Sequence, residues 1–548
     1  MSPVLDATVV RSWVRATVDA LGAVRAELDA ANVFPVPDGD TGTNLLLTFR
    51  DGAREVEAAE HAEHAEHAEH AEHGAGGTAD AATLLAALAR GCALGARGNS
   101  GVILAEWVRG LAAGLTDGSG PDGAAQALTR AAAAAHAGVA EPVEGTILTA
   151  ATAAARRALR AASRGPATVE VPVVLAAALA GAVDAHARSD HDLPVLAEAG
   201  LRDAGAHGLV VVLRELAVAS GAPDAGVVHP VVSVPSGSID AAGGRPGAPP
   251  RAGRAPATSP VGAVRADDEN VTGGEFEVML SLVTGDASAA RVRPEPAAAL
   301  RGALAAVGDS VAVVGAAPLW RGHVHTGSPV AVLAAADGVA GALVSDDGPL
   351  GGRGRLSDVQ VRRLAGTVTG QRPGVVAVCA APALVGEVAR AGAVVLVPDA
   401  GGRVGAGAVR RACDECTPDP VVLAPRTAWA GEPPAHALVA PTDLHVVAAL
   451  GGLATSAPAT PGEVRDVLRD AVAGIRVAAV AGPTDPALDD LLHGAAAGAL
   501  VTLLHGERVD VDGTREAVAE RVPGAEVVVL ASGRDDAALL VGVEGGAA

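Results

Sequence analysis

The strongest constraint on the fold is a change of apolar period across one polar stretch. Before about residue 225, apolar side chains recur at helical spacing: Val9, Trp13, Val14, Thr17, Val18 and Leu21 share one face. Segments 79–94, 101–115, 124–138, 146–162 and 171–187 repeat that pattern, parted by breaks that carry Gly, Pro or Asp. Residues 234–271 are rich in Gly, Pro, Ala, Ser and Arg and have no apolar period, which predicts a flexible linker. Beyond it the runs shorten and become β-branched. Strands are predicted at 276–283 and 311–315 with a helix over 295–307 between them, and at 375–378, 394–397 and 421–424. The reading is multidomain, α followed by α/β: a helical domain at 1–228, a linker at 229–271, and α/β units at 272–368 and 369–548.

Composition matters chiefly through what it excludes. All 41 basic residues are Arg, so a P-loop lysine, a Schiff-base lysine and a lysine general base are ruled out. Phosphate charge would have to be met by metal, Arg or backbone N–H groups. A net charge of -22 argues against general nucleic-acid binding and means that Mg²⁺ would be needed to bring a polyphosphate to an acidic surface. No secretory signal is legible, and the longest apolar stretch, 171–183, falls short of a membrane span, so a cytoplasmic protein without a transmembrane segment is expected. Four Cys do not make a disulfide framework, and Cys413-x-x-Cys416 lacks a second pair at zinc spacing. The triplet repeat over 60–73, with His61, His64, His67, His70 and His73, could pair imidazoles on a helix, but its purity favours a solvated insertion.

The chemistry concentrates in glycine turns of the helical domain. The run 32–44 reads Asn-Val-Phe-Pro-Val-Pro-Asp-Gly-Asp-Thr-Gly-Thr-Asn and sets Asp38 and Asp40 two residues apart just before a helix. Pro35 and Pro37 stiffen the approach, Gly39 and Gly42 allow the turn, and Thr41, Thr43 or Asn44 can cap the helix. Two carboxylates beside free helix amides are what a divalent metal needs to meet a nucleotide phosphate. A DGD turn alone is often only solvated. An EF-hand is excluded, because its twelfth position would be Phe49. Gly95-Ala96-Arg97-Gly98-Asn99-Ser100-Gly101 offers amides, a hydroxyl and an Arg, the parts of a phosphate cradle without lysine. Glu141-Pro142-Val143-Glu144-Gly145-Thr146 and Asp203-Ala204-Gly205-Ala206-His207-Gly208 are further turns opening helices. Several such turns in one helical domain point to a shared rim where a ligand sits.

Together these segments resemble the nucleotide-binding domain of the dihydroxyacetone-kinase L-subunit type, and in wording and order are nearest to the ATP-binding component of bacterial fatty acid kinases. The resemblance spans the first domain and continues, more faintly, through Gly308–Val311 and Trp320–Thr326. It implies an eight-helix barrel whose mouth binds ATP and two Mg²⁺, with Asp38 and Asp40 as metal ligands and catalytic groups. Asn32 stands where the dihydroxyacetone kinases carry a third carboxylate. Thr41, Thr43, Asn44, Arg97, Asn99, Ser100, Gly101 and Thr146 would lie on the nucleotide, bordered by Asp203, Gly205 and Gly208. In the middle domain the family groups a Cys with two His as a metal site. Here Gly273 and Gly274 replace the thiol segment, and His323 and His325 remain on one strand face.

The function implied is ATP-dependent phosphorylation of a fatty acid carboxylate presented by a separate fatty-acid-binding protein, with the C-terminal unit docking that partner. The alternatives are a glycerone-type kinase acting on a small hydroxyketone, and a non-catalytic nucleotide-sensing scaffold. Monomer and homodimer both stay open.

Overall fold

The computed structural model describes residues 5–34, 37, 39–69, 79–118, 120–163, 169–224, 274–284, 292–293, 295–345, 354–364, 374–416, 419–429, 433–434, 437–456, 458 and 460–546. The expected linker and Asp38 lie outside the described residues, as do the side chains of His64, His67, His70 and His73.

The first domain consists of α1 (Ala7–Ala30), α2 (Thr41–Glu69), α3 (Ala81–Gly95), α4 (Gly98–Asp117), α5 (Gly120–Ala137), α6 (Ile147–Ala162), α7 (Val171–His186), the short α8 (Ser189–Asp192) and α9 (Pro194–Ala199), and α10 (Ala204–Ala219). Among the eight long helices, each packs on the next and α10 packs back on α1. The expected eight-helix barrel is therefore a closed ring. Helix starts follow their caps: Asp6 accepts from the Val9 amide at 2.9 Å, and Asp80 from the Thr83 amide at 2.8 Å.

With so few aromatic residues, the helices close on one another through small ones. A Cβ added at Gly114 of α4 would stand 2.4 Å from Ala127 Cα of α5. The interior is filled by Trp13, Leu21, Phe49 and Trp107, all essentially inaccessible to solvent. Trp13 meets Phe49 edge-on and donates its indole N–H to the Val212 carbonyl at 3.2 Å.

The second half contains β1 (Phe276–Val283), β2 (Val292–Arg293), β3 (Asp309–Ala316), β4 (Leu319–Thr326), β5 (Val344–Ser345), β6 (Arg355–Arg363), β7 (Val375–Val378), β8 (Ala393–Val397), β9 (Val421–Ala424) and β10 (Ala437–Val439). Its main sheet runs β10-β9-β7-β8-β6-β1-β4-β3. Strands β7 to β10 pair in parallel, and the β8-β6-β1-β4-β3 pairings are antiparallel. The two expected α/β units thus share one sheet, joined where β6 pairs with β8. A second sheet, β11-β14-β12-β13, is built from β11 (Arg476–Ala479), β12 (Ala495–His505), β13 (Glu526–Ala531) and β14 (Leu539–Gly546).

Strand alternation decides which side of the main sheet meets the barrel. In β1, Phe276, Val278, Leu280 and Leu282 join the core beneath α11 (Pro296–Ala305), α12 (Pro329–Ala342) and α13 (Val385–Arg390). Glu277, Met279 and Ser281 point the other way, and Met279 packs into the barrel core with Ala312 and Val314 of β3. Helix α14 (Ala406–Glu415) lies on this second face and touches α2. Strand β3 reaches α4, where the Gly315 amide donates to Glu106 at 2.9 Å. No helix among the described residues is long and apolar enough to cross a membrane.

Candidate functional site

The glycine turns singled out in the sequence open α2, α4, α6 and α10, and those four helix starts meet. Gly98, at φ +54°, fits because a Cβ there would stand 2.3 Å from Asn44 Nδ2 of α2. A Cβ on Gly208 of α10 would meet Leu45 of α2 at 2.3 Å, and Gly205 packs on Ile147 of α6. One mouth therefore gathers the positive ends of four helix dipoles.

Asp40 stands at the start of α2. Its Oδ1 accepts from Asn44 Nδ2 at 2.7 Å, and its carbonyl accepts from the Asn44 amide at 2.8 Å. Its Oδ2 is ion-paired with Arg362 of β6. Thr41 is buried, and Thr43 donates both its amide and its hydroxyl to Asp29 of α1 at 2.8 Å. Asn32 is buried one turn beyond, with its amide on the Asp29 carbonyl at 3.3 Å. Burial raises the Asp29 carboxyl against these hydrogen bonds, and the neighbouring Asp40 charge adds to the rise. Asp29 was not foreseen from the sequence. The available signal was an acid in the last turn of the amphipathic first helix, three residues before Asn32.

Asn99, Ser100 and Gly101 form the first turn of α4, with Gly101 pressed on Thr48 of α2. Thr146 caps α6 and donates its hydroxyl to the Val143 carbonyl at 2.7 Å. Arg97, expected on phosphate, has its donors spent on protein: Asp51 at 2.9 Å, Glu415 at 2.7 Å, and the carbonyls of Gly95 and Arg411.

Asp203 caps α10 with 2.6 Å to the Ala206 amide and also receives the Ile147 amide, tying α10 to α6. Burial pushes its carboxyl up to about 6 in spite of those bonds. Because the native value exceeds the unfolded one, the native state is favoured fully below about pH 4. That advantage is lost as pH rises through 6, a swing on the order of 3 kcal/mol at 1.36 kcal/mol per pH unit. Asp203→Asn keeps the acceptor without the charge. Its stability relative to wild type, from urea unfolding, is expected to improve between pH 4 and pH 7. A difference independent of pH would disprove this account.

The main sheet brings its own polar cluster to the mouth. Cross-strand register sets Glu277 opposite His325 and Arg362, and Met279 opposite His323. His323 Nε2 lies 3.0 Å from Glu277 Oε1 and its Nδ1 lies 3.0 Å from the Ser310 carbonyl. The His323 and His325 rings meet edge-on with centroids 4.9 Å apart. Burial, then the His323 charge, lowers His325 to about 3. Glu277 is buried, which alone would raise its carboxyl, yet Arg362 and His323 hold it well below the usual range. Glu277, His323 and His325 offer ligand atoms within 4.8 Å of one another, so a carboxylate joins the two expected imidazoles. Glu277 and Arg362 were also unforeseen. The signal for Glu277 was one acid at a buried place in the apolar run 276–283.

Comparison with known proteins places two families along the chain. The DAK2 domain matches residues 35–218, and the middle domain of the FakA-like fatty acid kinase family matches residues 274–343. Protein YloV of Bacillus subtilis (strain 168) is 35% identical over 210 residues, 38% of this chain and 34% of the relative. An uncharacterized protein of Staphylococcus aureus (strain USA300) is 34% identical over 187 residues, 34% of this chain and 30% of the relative. The chain thus spans about a third of the length of the curated relatives it matches. The native form of the dihydroxyacetone kinase of C. freundii aligns with 38% of this chain and 34% of its own, at 21% identity and a TM-score of 0.26.

Proposed function

For a chain that carries a DAK2 domain followed by a FakA-like middle domain, we propose ATP-dependent phosphoryl transfer to a fatty acid carboxylate presented by a separate binding protein. The observation that carries this reading is the meeting of four helix starts around Asp40. Their amides and dipoles suit a polyphosphate in a chain that has no lysine. Nucleotide phosphates would lie over the first turns of α2 and α4, near Thr43, Asn44, Ser100 and Gly101, with α6 and α10 bordering the base and ribose side.

The donor chemistry suits Mg²⁺, since Asp40 and Asp29 are neighbouring carboxylates with hard oxygen atoms at the start of α2. Asp40 would hold it, together with Asp38 as the sequence implies. Such an ion would neutralise charge between the β- and γ-phosphates. The chain's own part is positioning: a carboxylate acceptor is already ionised at pH 7, so no strong general base is required. A partner is favoured because the barrel interior is filled by its own side chains, which leaves the acyl chain to be held elsewhere.

The test is formation of acyl phosphate, trapped as hydroxamate. Full-length protein with Mg-ATP and oleate loaded on a fatty-acid-binding protein is expected to give hydroxamate. Residues 1–228 with free oleate are expected to bind ATP and give none. Equal yields from both would overturn the partner-dependent reading, and ATP turnover on dihydroxyacetone alone would favour a small-molecule kinase.

A further inference from the structure

The guanidinium of Arg362 bridges the two domains at the point where phosphate is expected. Its Nη2 pairs with Asp40 at the start of α2, and its Nε pairs with Glu277. Glu277 in turn lies beside the start of α4, its Oε1 being 3.7 Å from the position of a Cβ on Gly98. Arg362 therefore stands between the two helix starts that would hold the phosphates. It comes from the main sheet, outside the barrel. Arg97, the arginine of the glycine turn, is committed to Asp51 and Glu415. Glu277 is itself positioned by His323 at 3.0 Å, so one end of the Arg362 fork is anchored while the other rests on a carboxylate that the proposed reaction needs for metal.

We propose that Arg362 is a catalytic residue which, when nucleotide is bound, exchanges Asp40 for the γ-phosphoryl oxygens while Glu277 keeps hold of its Nε. This rests on the phosphotransferase reading above. In the step assisted, a lone pair of the acceptor carboxylate forms a new O–P bond to the γ-phosphorus. The bond from that phosphorus to the β,γ-bridging oxygen breaks, and its electron pair leaves on ADP. No proton moves. Negative charge spreads over the equatorial oxygens of the transferring group, and an arginine aimed there strengthens its hydrogen bonds in the transition state. Supplied by the sheet, Arg362 also makes turnover depend on the sheet being seated on the barrel.

A merely structural arginine would hold the domains together without favouring the transition state, so the readout separates the two roles. Full-length wild type, Arg362→Gln and Arg362→Lys are titrated by calorimetry with Mg-ADP, with and without aluminium fluoride, and their kcat is measured. Wild type is expected to bind the fluoride complex at least about 100-fold tighter than Mg-ADP. Arg362→Gln is expected to lose that gain, to keep Mg-ADP affinity within about threefold, and to lose about 1000-fold in kcat, the lower figure for a catalytic arginine. Arg362→Lys retains the charge and fills most of the volume, so it carries the test if the Gln variant unfolds. Without the planar fork it is expected to lose at least about tenfold of the gain. Wild-type Mg-ADP binding with an undiminished fluoride gain in a folded variant overturns the proposal alone. Absence of Mg-ADP binding by wild type overturns the kinase reading and this proposal with it.

Discussion

Replacing Asp40 with alanine is expected to abolish Mg²⁺-dependent nucleotide binding while leaving the barrel folded. Asp40 offers its carboxylate beside the start of α2 and is fixed there by Asn44 at 2.7 Å. Groups that merely support a metal ligand cost 10- to 100-fold when removed, so loss of the ligand itself is expected to weaken Mg-ATP binding by at least about 100-fold. The stability cost is small by comparison. Arg362 loses one anionic partner but keeps Glu277, and the Asp40 side chain is partly exposed, which points to about 1 kcal/mol and a shift in Tm of a few degrees. Calorimetric titration with Mg-ATP, paired with thermal unfolding, separates the two effects. Unchanged binding in a folded variant would show that the metal site lies elsewhere.

The second large effect is one of stability. Arg97 and Asp51 are nearly inaccessible to solvent, and the Arg97 guanidinium also takes Glu415 of α14 at 2.7 Å. Asp414, next to Glu415, pairs with Arg50 and Arg54 of α2. Removing one member of a buried ion pair leaves its partners charged and unsolvated, at a cost of about 3–5 kcal/mol. Arg97→Ala is therefore expected to lower stability by about that amount in urea unfolding. Removal of the partner charge as well, in Arg97→Ala/Glu415→Gln, is expected to recover part of the loss. A single variant within about 1 kcal/mol of wild type would mean that water already reaches this pair.

Much of the barrel was legible because helical period and glycine punctuation are local signals. Predicted segments such as 146–162 and 171–187 coincide with α6 and α7 to within a residue, and the turns before α2, α4, α6 and α10 marked the mouth. Strand β7 fell where its β-branched run placed it, at Val375–Val378. Illegible were the features that depend on contacts far apart in sequence. Arg362 meets Asp40 across 322 positions, and nothing in the letters of β6 ties one to the other. Arg97 sat in a turn with the parts of a phosphate cradle, yet acids on α2 and α14 claimed its donors, and that competition is visible only once the helices are placed. The sharing of one sheet by the two α/β units was hidden for the same reason, since pairing of β6 with β8 is a property of register and not of composition.

The closure of the ring by α1 and α10 carries a further consequence. The mouth lies at the start of α10, so the chain leaves the barrel from the opposite end, about 24 Å away for a helix of 16 residues. It must return that distance to set β1 and β6 over Asp40. Barrel and sheet therefore meet within one chain, and their seam forms independently of protein concentration. With Met279, Ala312 and Val314 packed into the barrel core, that seam holds Arg362 over Asp40 in every copy of the chain.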